Sequence, residues 1–209
     1  AMKARLLIDI ISSGQTGATA KASFKQADAA IGKAMQLMPD QAAAHVARGA
    51  LLMLRDFDWK GSEAELRKAV ELAPDDGEAL YQLGVVRASQ GDLQQAVSLT
   101  RKASQQNPMN AIWHRWLVAY LIPLGQLDQA RLAVNKAIEL EPDVIYNHHL
   151  LAIIELLRKD LAAARKAADA EPPGPWQDFA LALVAQAGPD RVAADAALQR
   201  CITQHAEGW

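Results

Sequence analysis

Three stretches with the same ending decide the fold: Lys68-Ala-Val-Glu-Leu-Ala-Pro74, Lys102-Ala-Ser-Gln-Gln-Asn-Pro108 and Lys136-Ala-Ile-Glu-Leu-Glu-Pro142. Their closing prolines lie 34 residues apart, and a fourth copy of this ending, Lys33–Pro39, lies 35 residues earlier. A second element keeps the same period, since Gly91-Asp-Leu-Gln-Gln-Ala96 matches Gly125-Gln-Leu-Asp-Gln-Ala130. Self-similarity at a fixed period of this length is the signature of a repeat architecture.

Within one period the apolar residues follow helical spacing. Leu80 and Leu83, and then Ala96, Leu99 and Ala103, lie three or four positions apart. This spacing places the apolar residues of each run on one face of a helix. Each period is therefore expected to contain two amphipathic helices.

Turn residues separate the two runs. Gly91 can adopt the left-handed conformation that ends a helix, and Asp92 can cap the helix that follows. The closing proline stops the second helix because it cannot continue the backbone hydrogen-bond ladder. The residues expected to cap the helix after each proline are Asp75 or Asp76, Asn110 and Asp143. Each unit is thus a helix, a tight turn and an antiparallel helix.

Small residues recur where the two helices of a unit must cross. Gly49 and Gly84 lie on first helices, and alanines lie on second helices at 69, 96, 103, 130, 137 and 164. Helix axes approach to about 8 Å only when the contact residues are small. Leucine in place of Gly84 would overpack the crossing at a cost of about 1–3 kcal/mol. One unit cannot bury both of its apolar faces, so units are expected to stack.

The period, the small residue of the first helix, the two alanines seven apart and the closing proline resemble the tetratricopeptide repeat (TPR). The resemblance implies an all-α, right-handed α-solenoid of about five to six antiparallel helix pairs forming a single domain, 1–209. The units are placed at 3–40, 41–76, 77–110, 111–144, 145–173 and 174–209. Three irregularities are expected: Ser12–Thr19 breaks the first helix, the Asp56–Trp59 turn has one extra residue, and the fifth unit's second helix is one turn short.

Two segments resemble a narrower group within that family. Asp56-Phe-Asp-Trp-Lys-Gly-Ser-Glu-Ala-Glu-Leu66 and Ala170-Glu-Pro-Pro-Gly-Pro-Trp176 are similar to the C-terminal TPR regions of bacterial regulators. Those regulators carry adenylate/guanylate cyclase or winged-helix DNA-binding domains ahead of the repeats. The resemblance implies that this chain is the sensor or interaction part of a larger protein, and the opening Ala1-Met2 is read as a sign of a fragment.

Composition excludes several classes of function. The formal net charge of −2 lacks the basic excess that nucleic-acid binding needs. Cys201 is the single cysteine, which excludes an internal disulfide and a cysteine-based zinc site and favours a reducing, cytoplasmic location. The longest apolar runs, such as Trp116–Ile122, are far shorter than the roughly 20 residues that span a bilayer. The partners are therefore not expected to include nucleic acid or a membrane.

No pattern of catalytic, cofactor-binding or metal-ligating residues is found. Gly32-Lys33 is followed by alanine, so it lacks the hydroxyl residue of a phosphate-binding loop. His148 and His149 are adjacent and point about 100° apart on a helix, which disfavours a shared metal. We expect His148 to pack inside the helix pair and His149 to face outward. Cys201 is expected to be a small buried residue rather than a nucleophile.

The resemblance places partner binding on the first helices, which line the concave face of a TPR stack. The residues expected to point outward on that face are Val46, Tyr81, Arg115 and His149, and the neighbouring groove positions are Met53, Glu78, Gln82, Ile112, Trp116, Tyr146 and Ile153. A carboxylate clamp is not expected, because Tyr81 and Val85 stand where the family's clamp has Lys and Asn. Aromatic residues and arginine are enriched in binding hot spots, so the face predicts a peptide or protein partner.

Alternatives remain open for this face. The same residues could serve only to pack neighbouring first helices, or Arg115, Trp116 and His149 could hold a small anion. Self-association into a homo-oligomer that brings output domains together is a separate alternative. Among the tryptophans, Trp113 is expected in the core and Trp116 nearer the inner face.

Overall fold

The computed structural model describes residues 17–205, and every secondary-structure element in that range is helical. The predicted all-α class is confirmed. The chain divides into two compact units, Ala1–Pro108 and Met109–Trp209. Within each unit consecutive helices pack as pairs, and each pair packs on the next, as in an α-solenoid.

The described part of the first unit has five α-helices and one π-helical turn. They are α1 (Gly17–Leu37), α2 (Ala42–Leu51), the π turn (Leu52–Asp56), α3 (Trp59–Leu72), α4 (Gly77–Ser89) and α5 (Leu93–Gln106). Helix α1 begins at Gly17, so the last three residues of the expected break, 17–19, are helical. The remainder of that break, 12–16, lies outside the described residues.

The π turn accounts for the extra residue of the second repeat. The residue was expected in the Asp56–Trp59 turn, but it is taken up one turn earlier, in Leu52–Asp56. A π turn holds one more residue than an α turn, so the helix continues without a break. Phe57 then ends the helix with a left-handed φ of 52°, and Asp58 caps α3 through the Gly61 N–H at 2.8 Å.

The described part of the second unit has six helices. They are α6 (Ala111–Leu121), α7 (Leu127–Leu140), α8 (Asn147–Leu157), α9 (Leu161–Ala170), α10 (Pro175–Ala187) and α11 (Arg191–His205). Helix α9 has 10 residues, whereas α3, α5 and α7 each have 14. The short second helix expected in the fifth repeat is therefore confirmed.

The turns of the regular repeats follow the expected chemistry. Asp76, Asp92 and Asn110 each accept a hydrogen bond from a backbone N–H in the first turn of the helix that follows. Gly91 and Gly125 have φ values of +86° and +68°, a region that glycine enters without steric cost. The helix ends of these repeats are thus fixed by local sequence.

The start of α8 departs from the expectation. Asp143 does not cap this helix, and its N-cap is Tyr146, which has a left-handed φ of +88° and makes no side-chain capping bond. The buried carboxylate of Glu171 accepts hydrogen bonds from the backbone N–H groups of Tyr146 and His149 instead. The cap therefore comes from the loop after α9 rather than from the residues before α8.

Small residues at the helix crossings are required by the packing. A Cβ atom added to Gly49 would lie 2.7 Å from Leu66 Cγ, and one added to Gly84 would lie 2.7 Å from Thr100 Oγ1. Alanines 69, 96, 103, 130, 137 and 164 are fully buried. The predicted close approach of the two helices in each pair is confirmed.

Ion pairs join the second helix of one repeat to the first helix of the next. In the first unit the Glu63 carboxylate of α3 accepts a hydrogen bond from the Arg87 guanidinium of α4 at 2.5 Å. Gln90 also donates to Glu63, and this hydrogen bond is the main reason that the pKa of Glu63 is lowered. In the second unit Arg131 of α7 meets Glu155 of α8 at 2.8 Å. Two repeat periods separate Glu63 from Arg131 and Arg87 from Glu155. At equivalent junctions, the second helix therefore supplies the carboxylate in the first unit and the guanidinium in the second unit.

Candidate functional site

In the first unit the predicted face lies on α4. Glu78, Tyr81 and Gln82 are half-buried on this helix, and the Gln82 amide donates to the Glu78 carboxylate at 2.9 Å. Val46, expected to point outward on this face, and Met53, expected at a neighbouring groove position, are buried in one apolar cluster with Ala79 and other residues of α4. Their placement on an open face is wrong, because the next first helix covers them.

In the second unit an apolar surface lies on α6. Ile112 and Trp116, one helical turn apart, are 48% and 39% exposed. Trp113 and Leu117 on the other side of the helix are buried, as expected for Trp113. Helix α6 therefore presents large apolar side chains on two sides, of which one faces solvent.

The positive charge expected on this face is already paired. Arg115 Nη1 lies 2.6 Å from Glu141 Oε2, and the Arg115 side chain is largely buried. An incoming carboxylate would have to compete with Glu141 for the guanidinium. This pairing argues against the anion site considered for Arg115 with Trp116 and His149.

Four side chains form an aromatic cluster between α8 and α10. The Tyr146 ring lies 4.6 Å from that of Trp176 and 5.5 Å from the His149 ring, and Phe179 lies 6.0 Å from Trp176 (all centroid distances). His149 Nδ1 lies 3.0 Å from the Trp176 carbonyl oxygen, a geometry in which the ring N–H donates. The cluster ties the first helix of the fifth repeat to the first helix of the sixth.

The expected outward position of His149 is wrong. Its side chain is buried, whereas that of His148 is half-buried. Burial lowers the pKa of His149, since the charged form loses its hydration. His149 is therefore a neutral packing residue that supports the face without forming its surface.

Glu171 is the residue that sequence reasoning missed. Its carboxylate lies at the N-terminal end of α8, where the helix dipole favours negative charge. No local pattern indicates this role, because its hydrogen-bond partners lie 22 and 25 residues earlier in the chain. Trp176 and Phe179, on the helix that follows, were missed for the same reason.

Residues 87–154 match the tetratricopeptide repeat family. This segment is built of TPR units. It includes all of α5, α6 and α7 and most of α8, and so contains Ile112, Trp116 and the Arg115–Glu141 pair. No curated protein sequence matches the chain.

Solved structures share the TPR fold over a longer part of the chain. PilW, a type IV pilus biogenesis factor, is 16% identical, with a TM-score of 0.78 over 98% of this chain and 93% of its own. PilF from Pseudomonas aeruginosa is 18% identical, with a TM-score of 0.75 over 100% and 94%. YrrB, described as a TPR protein with an unusual peptide-binding site, is 18% identical, with a TM-score of 0.62 over 92% and 88%. At these identities the likeness establishes the fold alone.

The His, Cys, Asp and Glu side chains within residues 17–205 are dispersed. No group of three or more His, Cys, Asp or Glu side chains there could hold a metal ion. Cys201 is buried with its Sγ 3.2 Å from the Asp178 carbonyl oxygen, and burial raises the pKa of the thiol. No helix in this range is long and apolar enough to cross a membrane.

Proposed function

We propose that this TPR chain is a non-catalytic scaffold that binds a peptide or protein segment along its first helices. The observation that carries the proposal is the exposure of Ile112 and Trp116 on α6. Large apolar side chains that are exposed side by side on one helix mark interaction surfaces, and tryptophan is enriched in binding hot spots. TPR proteins generally mediate protein–protein interaction, and YrrB has a peptide-binding site.

The charges of the face favour an apolar anchor on the partner. Arg115 is satisfied by Glu141, and burial keeps His149 neutral. An apolar side chain of the partner would gain by covering Ile112 and Trp116, whereas a free carboxylate would find no open cation on α6. Binding should therefore depend weakly on salt concentration, because salt screens interactions between charges and the proposed contact with Ile112 and Trp116 is apolar.

The test replaces Trp116 by alanine and compares the captured proteins with those of wild type. The matched control is Leu132→Ala, because Leu132 is also an exposed apolar residue but lies on the second helix α7. We expect recovery of the specific partner to fall at least about tenfold for Trp116→Ala and to stay unchanged for Leu132→Ala. Equal recovery by a folded Trp116→Ala chain would contradict the proposal.

The proposed context is the interaction part of a larger cytoplasmic bacterial signalling protein. Support comes from the Asp56–Leu66 and Ala170–Trp176 segments, which resemble the TPR regions of cyclase and winged-helix regulators. Reading the gene upstream of this segment tests the context directly. A cyclase or DNA-binding domain there would support it, and an upstream region of another kind would contradict it.

Self-association is the second candidate function. The exposed apolar residues of α11, Val192, Leu198 and Ile202, favour it because they could be covered by another copy. Sedimentation at two protein concentrations separates the candidates. A dimer that resists dilution would favour self-association.

A further inference from the structure

The loop between α7 and α8 borders the exposed side of α6. Ile112, Trp116 and Ala119 are exposed at positions i, i+4 and i+7, so they form one stripe along the helix. At about 100° per residue, Arg115 lies at one edge of this stripe. Glu141, the first residue after α7, meets Arg115 Nη1 at 2.6 Å through Oε2. The ion pair therefore places Glu141 and its loop at the edge of the stripe.

This ion pair presents its carboxylate to solvent more than its guanidinium. The Glu141 side chain is 40% exposed, whereas that of Arg115 is 22% exposed. Oε1 of Glu141 accepts no hydrogen bond from any residue in the range 17–205, although a carboxylate can accept at both oxygens. A cation arriving from solvent can therefore reach Glu141, whereas an anion meets a guanidinium that is already bound.

A second carboxylate of this loop is left open because Glu171 caps α8. Asp143 is the cap that the sequence predicts, but the backbone N–H groups at the start of α8 donate to Glu171 instead. The Asp143 side chain is exposed and makes no hydrogen bond or ion pair with the described part of the chain. Val144 and Ile145, the next two residues, are also exposed. The loop therefore carries an unpaired carboxylate beside apolar surface.

The stripe and the loop together form an apolar surface with an acidic edge. Glu141 and Asp143 contribute two negative charges and Arg115 contributes one positive charge, which leaves a net charge of −1 among the three. Charges at the rim of an interface attract the opposite charge on the partner and disfavour the same charge. A basic group is therefore the complement of this edge, and an apolar group is the complement of the stripe.

We propose that the α6 face binds a basic segment, in which Lys or Arg flanks the apolar side chain that covers Ile112 and Trp116. Glu141 and Asp143 are the residues that select the positive charge. This assignment rests on the proposed function and adds the chemistry of the segment that the face accepts. Exposed ion pairs stabilise a complex only weakly, so the apolar contact supplies most of the affinity and the two carboxylates supply the selectivity.

The probe for the test is a display library of random peptides. Selection on wild type, with removal of the peptides that also bind Trp116→Ala, retains peptides that need the α6 face. We expect the retained peptides to contain an apolar residue flanked by Lys or Arg. Selection on Glu141→Gln, which leaves Arg115 without a charged partner, should lose the preference for Lys and Arg.

A charge exchange then tests the acidic edge with one retained peptide, synthesised with a fluorescent label and titrated by anisotropy. Asp143→Lys should bind it about threefold more weakly than wild type, because one exposed attraction is replaced by repulsion. Replacing the flanking Lys or Arg of the peptide by Glu should reverse that order. The matched control, Asp195→Lys, changes an exposed aspartate of α11 and should bind like wild type. Circular dichroism confirms that each variant chain is folded before binding is compared.

Two results would overturn the basic preference and leave the proposed function intact. The first is a set of peptides that need Trp116 but are not enriched in Lys or Arg. The second is equal binding of the labelled peptide by wild type and Asp143→Lys. If no retained peptide depends on Trp116, the proposed function fails, and the basic preference fails with it.

Discussion

The crossing of α4 and α5 gives the sharpest test of the packing. Gly84→Ala adds one methyl group at the point where a Cβ atom would lie 2.7 Å from Thr100 Oγ1 and 3.3 Å from the Ala96 carbonyl oxygen. Thr100 is fully buried, and the carbonyl belongs to the backbone, so neither neighbour can turn into solvent. The two helices must separate to admit the methyl group.

Two opposing effects set the expected magnitude. Alanine is favoured over glycine inside a helix by about 1 kcal/mol. Overpacking of a tight contact costs about 1–3 kcal/mol. We therefore expect Gly84→Ala to lower the free energy of unfolding by about 1 kcal/mol.

Gly32→Ala is the matched control. Gly32 lies inside α1, and a Cβ atom added there meets nothing within 4 Å. The same substitution should raise the free energy of unfolding by up to about 1 kcal/mol, because the helix gains propensity without a clash. Urea unfolding followed by circular dichroism measures both variants under the same conditions.

A double-mutant cycle identifies the neighbour responsible. Thr100→Ala removes the oxygen that is closest to the added methyl group. The loss caused by Gly84→Ala should shrink by about 1 kcal/mol in the Thr100→Ala background. The packing argument would be refuted if Gly84→Ala and Gly32→Ala changed the free energy of unfolding in the same direction. It would also be refuted if Thr100→Ala left the effect of Gly84→Ala unchanged.

Three further predictions concern the second unit. Glu171→Ala should destabilise α8 by about 2 kcal/mol and speed hydrogen exchange at the His149 amide, whereas Glu171→Gln, which keeps an acceptor, should lose less. The pKa of His149 lies below its ordinary 6.5, so the unfolded chain binds more protons near that pH. Urea midpoints should therefore fall as the pH drops from about 7.5 to about 5.5, and His149→Gln should weaken that dependence. Glu155→Ala should cost about 1–3 kcal/mol because the buried carboxylate bonds Arg131, whereas exposed Glu139→Ala should cost under about 0.5 kcal/mol.

Local chemistry explains why the regular repeats could be predicted. The caps at Asp76, Asp92 and Asn110 act on backbone groups two or three residues away, so the sequence contains both partners. The role of Gly84 could also be predicted, because its position in the repeat places it where the first helix crosses the second helix of the same pair. Fold class and helix boundaries depend mainly on such short-range relations.

The orientation of the face could be predicted only in part. Ile112 and Trp116 are exposed as expected, but His149 at the equivalent of Arg115 is buried. The difference arises because Trp176 packs against His149 and Tyr146 at the start of α8, where the shortened second helix of the fifth repeat and its Glu171 loop bring α10 close. A periodic pattern assumes equivalent neighbours, and it fails where one repeat departs from the period.

The reversed ion pairs at the two junctions limit how this gene can change length. Removing residues 73–140, two periods, would preserve the repeat phase and join α3 to α8. Glu63 would then face Glu155, and two carboxylates would meet where each now has an arginine. Recombination between these repeats would therefore produce a chain whose helices keep their phase but whose new junction places two carboxylates together.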